Sequence, residues 1–377
     1  MNSPLYVSKP LLPDLETLVP QLKEIWASGI VTNNGPLHQK FENALEQYLG
    51  TPCAMAFNNG TIALLVALKM MDLEIGSEVI TTPLTFAATA HSIAWNGLVP
   101  VFADVEPQSL TLDPKAVERA ISPRTSAILA VHVYGNVCDV VGLQDIADKH
   151  GLRLIYDAAH VFGATIDDRP IGLFGDVSVF SFHATKLFNS LEGGAITSRL
   201  VSDKEKIYSL RNFGIKNEEE VVDIGINGKM NEFQAAVGLL NLPLVAEERS
   251  KRALLRDRYN HSLRDLPGVR LPVTQKNVFN SEQYYHLVID HREFGASRDE
   301  IYDGLKESNI FARKYFHPIC TDFTPYKGHK IHTAHESPYV NEVKSQVLCL
   351  PFHSGVKDEH IDAIERQFRR SLQGANR

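Results

Sequence analysis

At 377 residues, with 44% apolar and 22% charged side chains, the chain is long enough for one large domain and a smaller appendage. A net charge of −7 without a Lys/Arg block excludes a general binder of the nucleic-acid backbone, and no apolar run approaches the roughly 18 residues of a membrane span. Cys53, Cys138, Cys320 and Cys349 are too scattered for a disulfide or zinc framework, so the expectation is a soluble, cytoplasmic protein with buried thiols, no resident metal, and neither nucleic acid nor membrane as partner.

Leu15, Leu18, Val19, Leu22, Ile25 and Trp26 fall at helical spacing and predict a first helix over 10–28, closed by the turn-rich stretch from Gly29 to Pro36. Phe41, Leu45, Tyr48 and Leu49 predict a second helix, ending at Gly50. A short strand, 53–57, then runs through Asn58-Asn59-Gly60-Thr61 into a buried helix over 62–71. Free backbone N–H groups and a hydroxyl at a helix N-terminus suit a phosphate, although Gly-Thr also serves as plain turn and cap. Strand 78–82 ends at Pro83, and the next helix opens at 85–90, placing Phe86 near the same strand end. Its ring is either a stacking face for a planar ligand or a core aromatic.

Strands over 99–103, 127–133 and 152–156 follow, the last ending in Asp157-Ala-Ala-His160. A carboxylate at the end of a buried strand must meet a cation or several donors; a protonated pyridine nitrogen satisfies it, and so does a helix cap. Val177 to Phe182 alternates as a strand should, and Gly193-Gly194 leads into a second strand at Ala195-Ile196-Thr197. Lys186 lies on the connection between them. Partial desolvation there lowers an amine toward the range of a nucleophile and base, able to carry a Schiff base; a surface-loop lysine is the alternative.

Beyond it come Arg211-Asn-Phe-Gly214, a solvated acidic run at 218–220, the segment Asn227-Gly-Lys-Met230 entering a helix, and a charged helix over 247–259 that bridges two domains. The alternation then weakens, with elements at 284–289, 298–308, 346–350 and 358–372, and the domain change is placed near residue 250. Tyr315 and His317-Pro318 overhang the site or form a turn. His329, His332 and His335 have no acidic or cysteine ligand spaced with them and read as a solvated loop.

Taken together, Asn59-Gly60-Thr61, Thr85-Phe86-Ala87-Ala88-Thr89, Asp157-Ala-Ala-His160, Phe180-Ser-Phe-His-Ala-Thr-Lys186 with Glu192-Gly-Gly194, Arg211-Asn-Phe-Gly214 and Asn227-Gly-Lys-Met230 resemble the DegT/DnrJ/EryC1/StrS family of sugar aminotransferases, from about residue 10 to 355. The resemblance implies an α/β, fold-type I architecture: a large domain (1–250) with a mixed, mostly parallel sheet, a smaller C-terminal α+β domain (251–377), and a homodimer with shared active sites. It implies pyridoxal 5′-phosphate as cofactor, with pyridoxamine phosphate as its amine form. Lys186 is then the imine-forming lysine, Asp157 the partner of the ring nitrogen and Phe86 the residue on the ring face. Gly60, Thr61 and Ser181 match phosphate binders, and Asn227 matches a residue that reaches the phosphate from the other subunit. His160 stands where glutamine is common, near the ring hydroxyl. His183, Arg211, Tyr315 and His317 are candidates for substrate contact.

The lysine segment and Thr32-Asn-Asn-Gly-Pro36 are most similar to members that aminate C4 of dTDP-4-keto-6-deoxy-D-glucose with L-glutamate as donor, giving dTDP-4-amino-4,6-dideoxy-D-glucose for O-antigen or antibiotic sugars. Amination at C3 or on a UDP-ketosugar is the alternative within the family. A noncatalytic sugar-nucleotide-binding regulator is the alternative outside it. Retention of Lys186 speaks against the dehydratase members, which carry histidine there.

Overall fold

The computed structural model describes residues 3–327 and 337–375; the His329, His332 and His335 stretch lies outside them. Helix α1 (Leu15–Ser28) starts where the Asp14 carboxylate accepts the Glu16 N–H at 3.0 Å and stops at Gly29 in the left-handed region (φ 68°), so the cap, not the apolar spacing from residue 10, fixes its first turn. Helix α2 (Pro36–Leu49) has proline in its first turn and ends at left-handed Gly50.

The free N-terminal N–H groups of α2 are satisfied from far along the chain. The buried Glu232 carboxylate accepts Leu37 N–H and His38 N–H, both at 2.8 Å. Glu232→Ala leaves two buried donors unpaired and is expected to destabilise the fold by about 2–6 kcal/mol, at about 1–3 kcal/mol per unsatisfied group, read as a lower urea midpoint at unchanged slope.

Strand β1 (Cys53–Phe57), helix α3 (Gly60–Lys69), β2 (Glu78–Thr81), helix α4 (Ala87–Trp95), β3 (Val99–Phe102), β4 (Thr125–Val131), β5 (Arg153–Asp157), β6 (Val177–Ser181) and β7 (Gly194–Ser198) follow. Among the described residues these seven strands form one sheet in the order β1-β7-β6-β5-β4-β2-β3. All neighbours are parallel except β7, which is antiparallel to both β1 and β6. The sheet is therefore mixed and mostly parallel, as expected. Its strands are buried along nearly their whole length, as a sheet covered by helices on both faces requires. One consequence positions the site: α3, α4, Asp157 and Ser181 all meet at the C-terminal ends of parallel strands, where open α/β sheets gather ligands.

A second, smaller unit is built on the antiparallel strands β8 (Val269–Arg270), β9 (Tyr285–Ile289) and β10 (Val347–Leu350), with its own core of Leu263, Leu287, Leu305, Leu348 and Phe368. The expected boundary at residue 250 falls inside one helix, Val245–Leu263. Val245 packs in the core of the large sheet, and Leu255, Tyr259 and Leu263 in that of the small unit. Leu5–Tyr6 also joins the small unit, pairing in parallel with Ile310–Phe311.

Candidate active site

Lys186 is held by what surrounds it in sequence. Leu187 and Phe188 are fully buried, and Phe188 stacks on Phe162 at 4.4 Å between centroids and meets Phe182 edge-on at 4.9 Å. The turn is closed by Lys186 N–H to His183 O (2.9 Å) and Ser190 N–H to Phe182 O (3.0 Å). Gln283, from the small unit, accepts Leu187 N–H at 2.7 Å and donates to Thr185 O at 3.2 Å. The apolar residues after the lysine thus anchor the loop, and the amine is left to face the cavity.

That cavity, about 240 Å³, is lined by Lys186, Asp157, His160, Gly60, Thr61, Phe86, Ser181, His183 and Tyr315 among the residues read from sequence, and by Glu192, Tyr284 and Phe316 besides. Part of the Lys186 surface is accessible through it, yet protein surrounds the amine. Burial outweighs the nearby Asp157 carboxylate and lowers the lysine to about 8. Asp157 is buried, and desolvation raises it; a 2.8 Å bond from the Thr89 hydroxyl, a 3.1 Å bond from Ala159 N–H and the Lys186 charge oppose that rise. An acid and a base of shifted proton affinity facing one cavity mark a reactive site.

His160 is buried, its Nδ1 accepting Tyr134 N–H at 3.1 Å. Desolvation, then the charge of Lys186, holds it well below the usual histidine range, so it is neutral and carries its proton on Nε2. Phe316 lies parallel to its ring (3°, 5.8 Å) and Tyr284 meets it edge-on. At the other end of the cavity, Asn59 caps α3 by accepting Ile62 N–H at 2.8 Å, while Gly60 and Thr61 N–H have no partner among the described residues. Two free donors at the N-terminus of a ten-residue helix, beside the Ser181 hydroxyl, form an anion cradle. A side chain at Gly60 would crowd the cradle, because a Cβ would lie 3.0 Å from Ser181 Cβ and 3.2 Å from its Oγ. Phe86 precedes α4 and lines the cavity, the residue as a whole 62% exposed.

Three sequence candidates lie elsewhere. Arg211 is buried against the Glu42 carboxylate and donates to Ala56 O at 2.7 Å. Burial alone raises Glu42, but Arg211 and His38 outweigh it and bring it to about 2. Arg211 therefore ties the helix Asp203–Leu210 to strand β1 and does not reach the cavity. His317 is exposed and outside the lining, because the preceding Phe316 turns inward onto His160. Asn227 is exposed, bridged to Asn212, and likewise outside the lining of its own chain's cavity. His183 sits at the rim, its Nδ1 2.8 Å from the Thr185 hydroxyl and its Nε2 3.5 Å from the Glu192 carboxylate.

Thr89, Tyr284 and Phe316 were not assigned from the sequence. Thr85 and Thr89 are one helical turn apart within Thr85-Phe86-Ala87-Ala88-Thr89, which is a readable signal; Tyr284 and Phe316 come from the small unit and carry no local signature.

The model of the DegT/DnrJ/EryC1/StrS aminotransferase family matches residues 14–369. The chain is 42% identical to the dTDP-4-amino-4,6-dideoxy-D-glucose transaminase of Shigella dysenteriae, covering 98% of this chain and 99% of that one. It is 40% identical to the enzyme of the same name from Escherichia coli, over 96% of each. The crystal structure of DesI in the presence of its TDP-sugar product superposes with a TM-score of 0.94 at 36% identity, covering all of this chain and 95% of the other. With lysine, carboxylate and anion cradle arranged around one cavity of this fold, the chain belongs to the DegT/DnrJ/EryC1/StrS aminotransferase family.

Proposed function

We propose that this aminotransferase uses pyridoxal phosphate to move the amino group of L-glutamate onto C4 of dTDP-4-keto-6-deoxy-D-glucose, giving dTDP-4-amino-4,6-dideoxy-D-glucose, the step that supplies an aminosugar to O-antigen or a related glycan. The observation that carries it is one cavity holding a desolvated amine, a buried carboxylate and an unclaimed anion cradle. Each polar feature of the cofactor has a complement there: the aldehyde Lys186, the ring nitrogen Asp157, the ring hydroxyl the Nε2–H of His160, and the phosphate Gly60 N–H, Thr61 N–H and Ser181 Oγ. Phe86 offers an apolar face to the ring.

When bound, pyridoxal phosphate supplies a carbonyl for the amine and a ring that withdraws electrons from the neighbouring C–H bond. Lys186, lowered to about 8, is neutral in about one molecule in ten at pH 7, far more often than an ordinary lysine, so its Nζ can take the proton from the donor carbon and deliver one to C4 of the sugar. Asp157, ionised, keeps a proton on the ring nitrogen. Tyr284, Tyr315 and Phe316 wall the cavity on the side of the small unit and exclude water from the proton transfer.

The decisive experiment incubates the protein with L-glutamate and dTDP-4-keto-6-deoxy-D-glucose and locates the new amine by NMR. Nitrogen on C3, or turnover only of a UDP-ketosugar, overturns the substrate assignment. Gly60→Val tests the cradle. Its side chain pushes into Ser181, and losing one charge-assisted bond to phosphate is expected to weaken cofactor binding about ten- to a hundredfold, measured by titrating apoprotein.

The working unit we propose is a homodimer in which Asn227 of one chain completes the phosphate site of the other. Its support is the exposed apolar run beside it, with Phe213, Val221 and Ile224 at 50%, 66% and 84% exposure, more than a free surface loop normally presents. Mixing inactive Lys186→Ala chains with an inactive Asn227 variant should restore part of the activity if sites are shared; a monomer by light scattering argues against it.

A further inference from the structure

Asp157 has a buried support that the proposed reaction does not by itself require. Its Oδ2 receives the hydroxyl of Thr89 at 2.8 Å, and the Thr89 oxygen lies 2.8 Å from the hydroxyl of Thr85. Both threonines are buried, at 2% exposure or less. The direction of this chain follows from valence: an ionised carboxylate only accepts, so Thr89 donates to Asp157, and its lone pair accepts the proton of Thr85. The two hydroxyls are therefore a one-way pair while Asp157 is charged, and they must rotate if Asp157 takes up a proton. Thr85 and Thr89 flank the start of α4, the same turn that carries Phe86. One short segment thus offers the ring face and orients the group assigned to the ring nitrogen.

We propose that Thr89, polarised by Thr85, is a positioning residue that keeps Asp157 ionised and locked in the rotamer facing the cofactor's ring nitrogen. The inference rests on the pyridoxal-phosphate reading above and deepens it. Oδ1 is fixed by Ala159 N–H at 3.1 Å, so Thr89 is the side-chain donor that fixes the second oxygen. A charge-assisted bond in a dry site is stronger than one in water. The charged or titratable groups around Asp157 are Lys186 across the cavity, with His160 and His132 beyond, both held neutral by burial. None of these replaces a hydroxyl on Oδ2.

Thr89→Val keeps shape and removes the donor; Thr89→Ser restores it. With full-length protein, the expected result for Thr89→Val is cofactor affinity weakened about ten- to a hundredfold. The acidic limb of the bound cofactor's visible spectrum should also move to higher pH, because the ionised carboxylate has lost a stabilising donor. Thr89→Ser should return both to near wild-type values. Thr85→Val, which leaves the Thr89 bond in place, should move both in the same direction by a smaller factor and serves if Thr89→Val does not fold. Wild-type affinity and pH limb in both valine variants, with the visible band still lost in Lys186→Ala, would overturn this inference alone. A wild-type protein that never binds pyridoxal phosphate would overturn the reading beneath it as well.

Discussion

Lys186→Ala is expected to abolish the visible band of the bound cofactor and to lower turnover by on the order of 10⁴-fold or more, since proton transfer alone is worth about 10²–10⁴ and the covalent link is lost with it. The variant should still fold, because the loop is anchored by Leu187, Phe188 and the Gln283 bonds, none of which involves the amine. A second signature belongs to the apoprotein. The folded amine is lowered from 10.5 to about 8, so between those values the unfolded chain binds a proton that the folded chain does not. Stability therefore rises with pH across that window, by up to about 3 kcal/mol. Below pH 8 both states are protonated, and the penalty for burying the ammonium is present in full. Urea midpoints of wild-type apoprotein should climb from pH 8 to 10, and those of Lys186→Ala should lack that climb. A retained visible band, or the same climb in both proteins, contradicts the assignment of the amine.

The elements that carry chemistry at strand ends were legible because each is local. A strand, a turn and a helix start are specified within a dozen residues, and Gly60, Asp157 and Lys186 sit at such junctions. The alternation of apolar strands and helices was legible for the same reason, and the family resemblance implied the mixed, mostly parallel sheet. What could not be read depends on chain segments meeting from afar. Phe316 and Tyr284 reach the cavity only because the small unit folds against the large one, and nothing near them in sequence marks the contact. The misplacement of Arg211 has the same origin. The family resemblance makes Arg211 a candidate for substrate contact, but Glu42, on a helix far earlier in the chain, takes its charge in the interior. The N-terminal strand's union with the small unit is likewise a tertiary pairing, two residues long, below the length at which periodicity carries information.

Asp157→Asn is expected to separate activity from stability. The amide is isosteric with the carboxylate, its oxygen can keep the bond from Thr89 or Ala159 N–H, and the Asp157 environment is one whose desolvation raises the proton affinity of a carboxyl group. Removing an unfavourably buried charge does not weaken the apoprotein. The sign with pH agrees: a carboxyl whose folded value is raised gives a fold that loses stability as pH rises from the unfolded value through the folded one, and the asparagine variant should lack that loss. The reaction behaves oppositely. A neutral amide cannot hold a proton on the ring nitrogen, so the ring withdraws electrons less strongly just when negative charge develops. Removing one preorganised electrostatic partner from a water-poor site lowers turnover by a factor of about 10²–10³. Thermal midpoints of apoprotein and single-turnover rates with glutamate measure the two halves. Equal or higher stability with slow turnover is the expected pair; turnover near wild type would mean that the carboxylate does not face the ring nitrogen, and the placement of the cofactor in this cavity would fall with it.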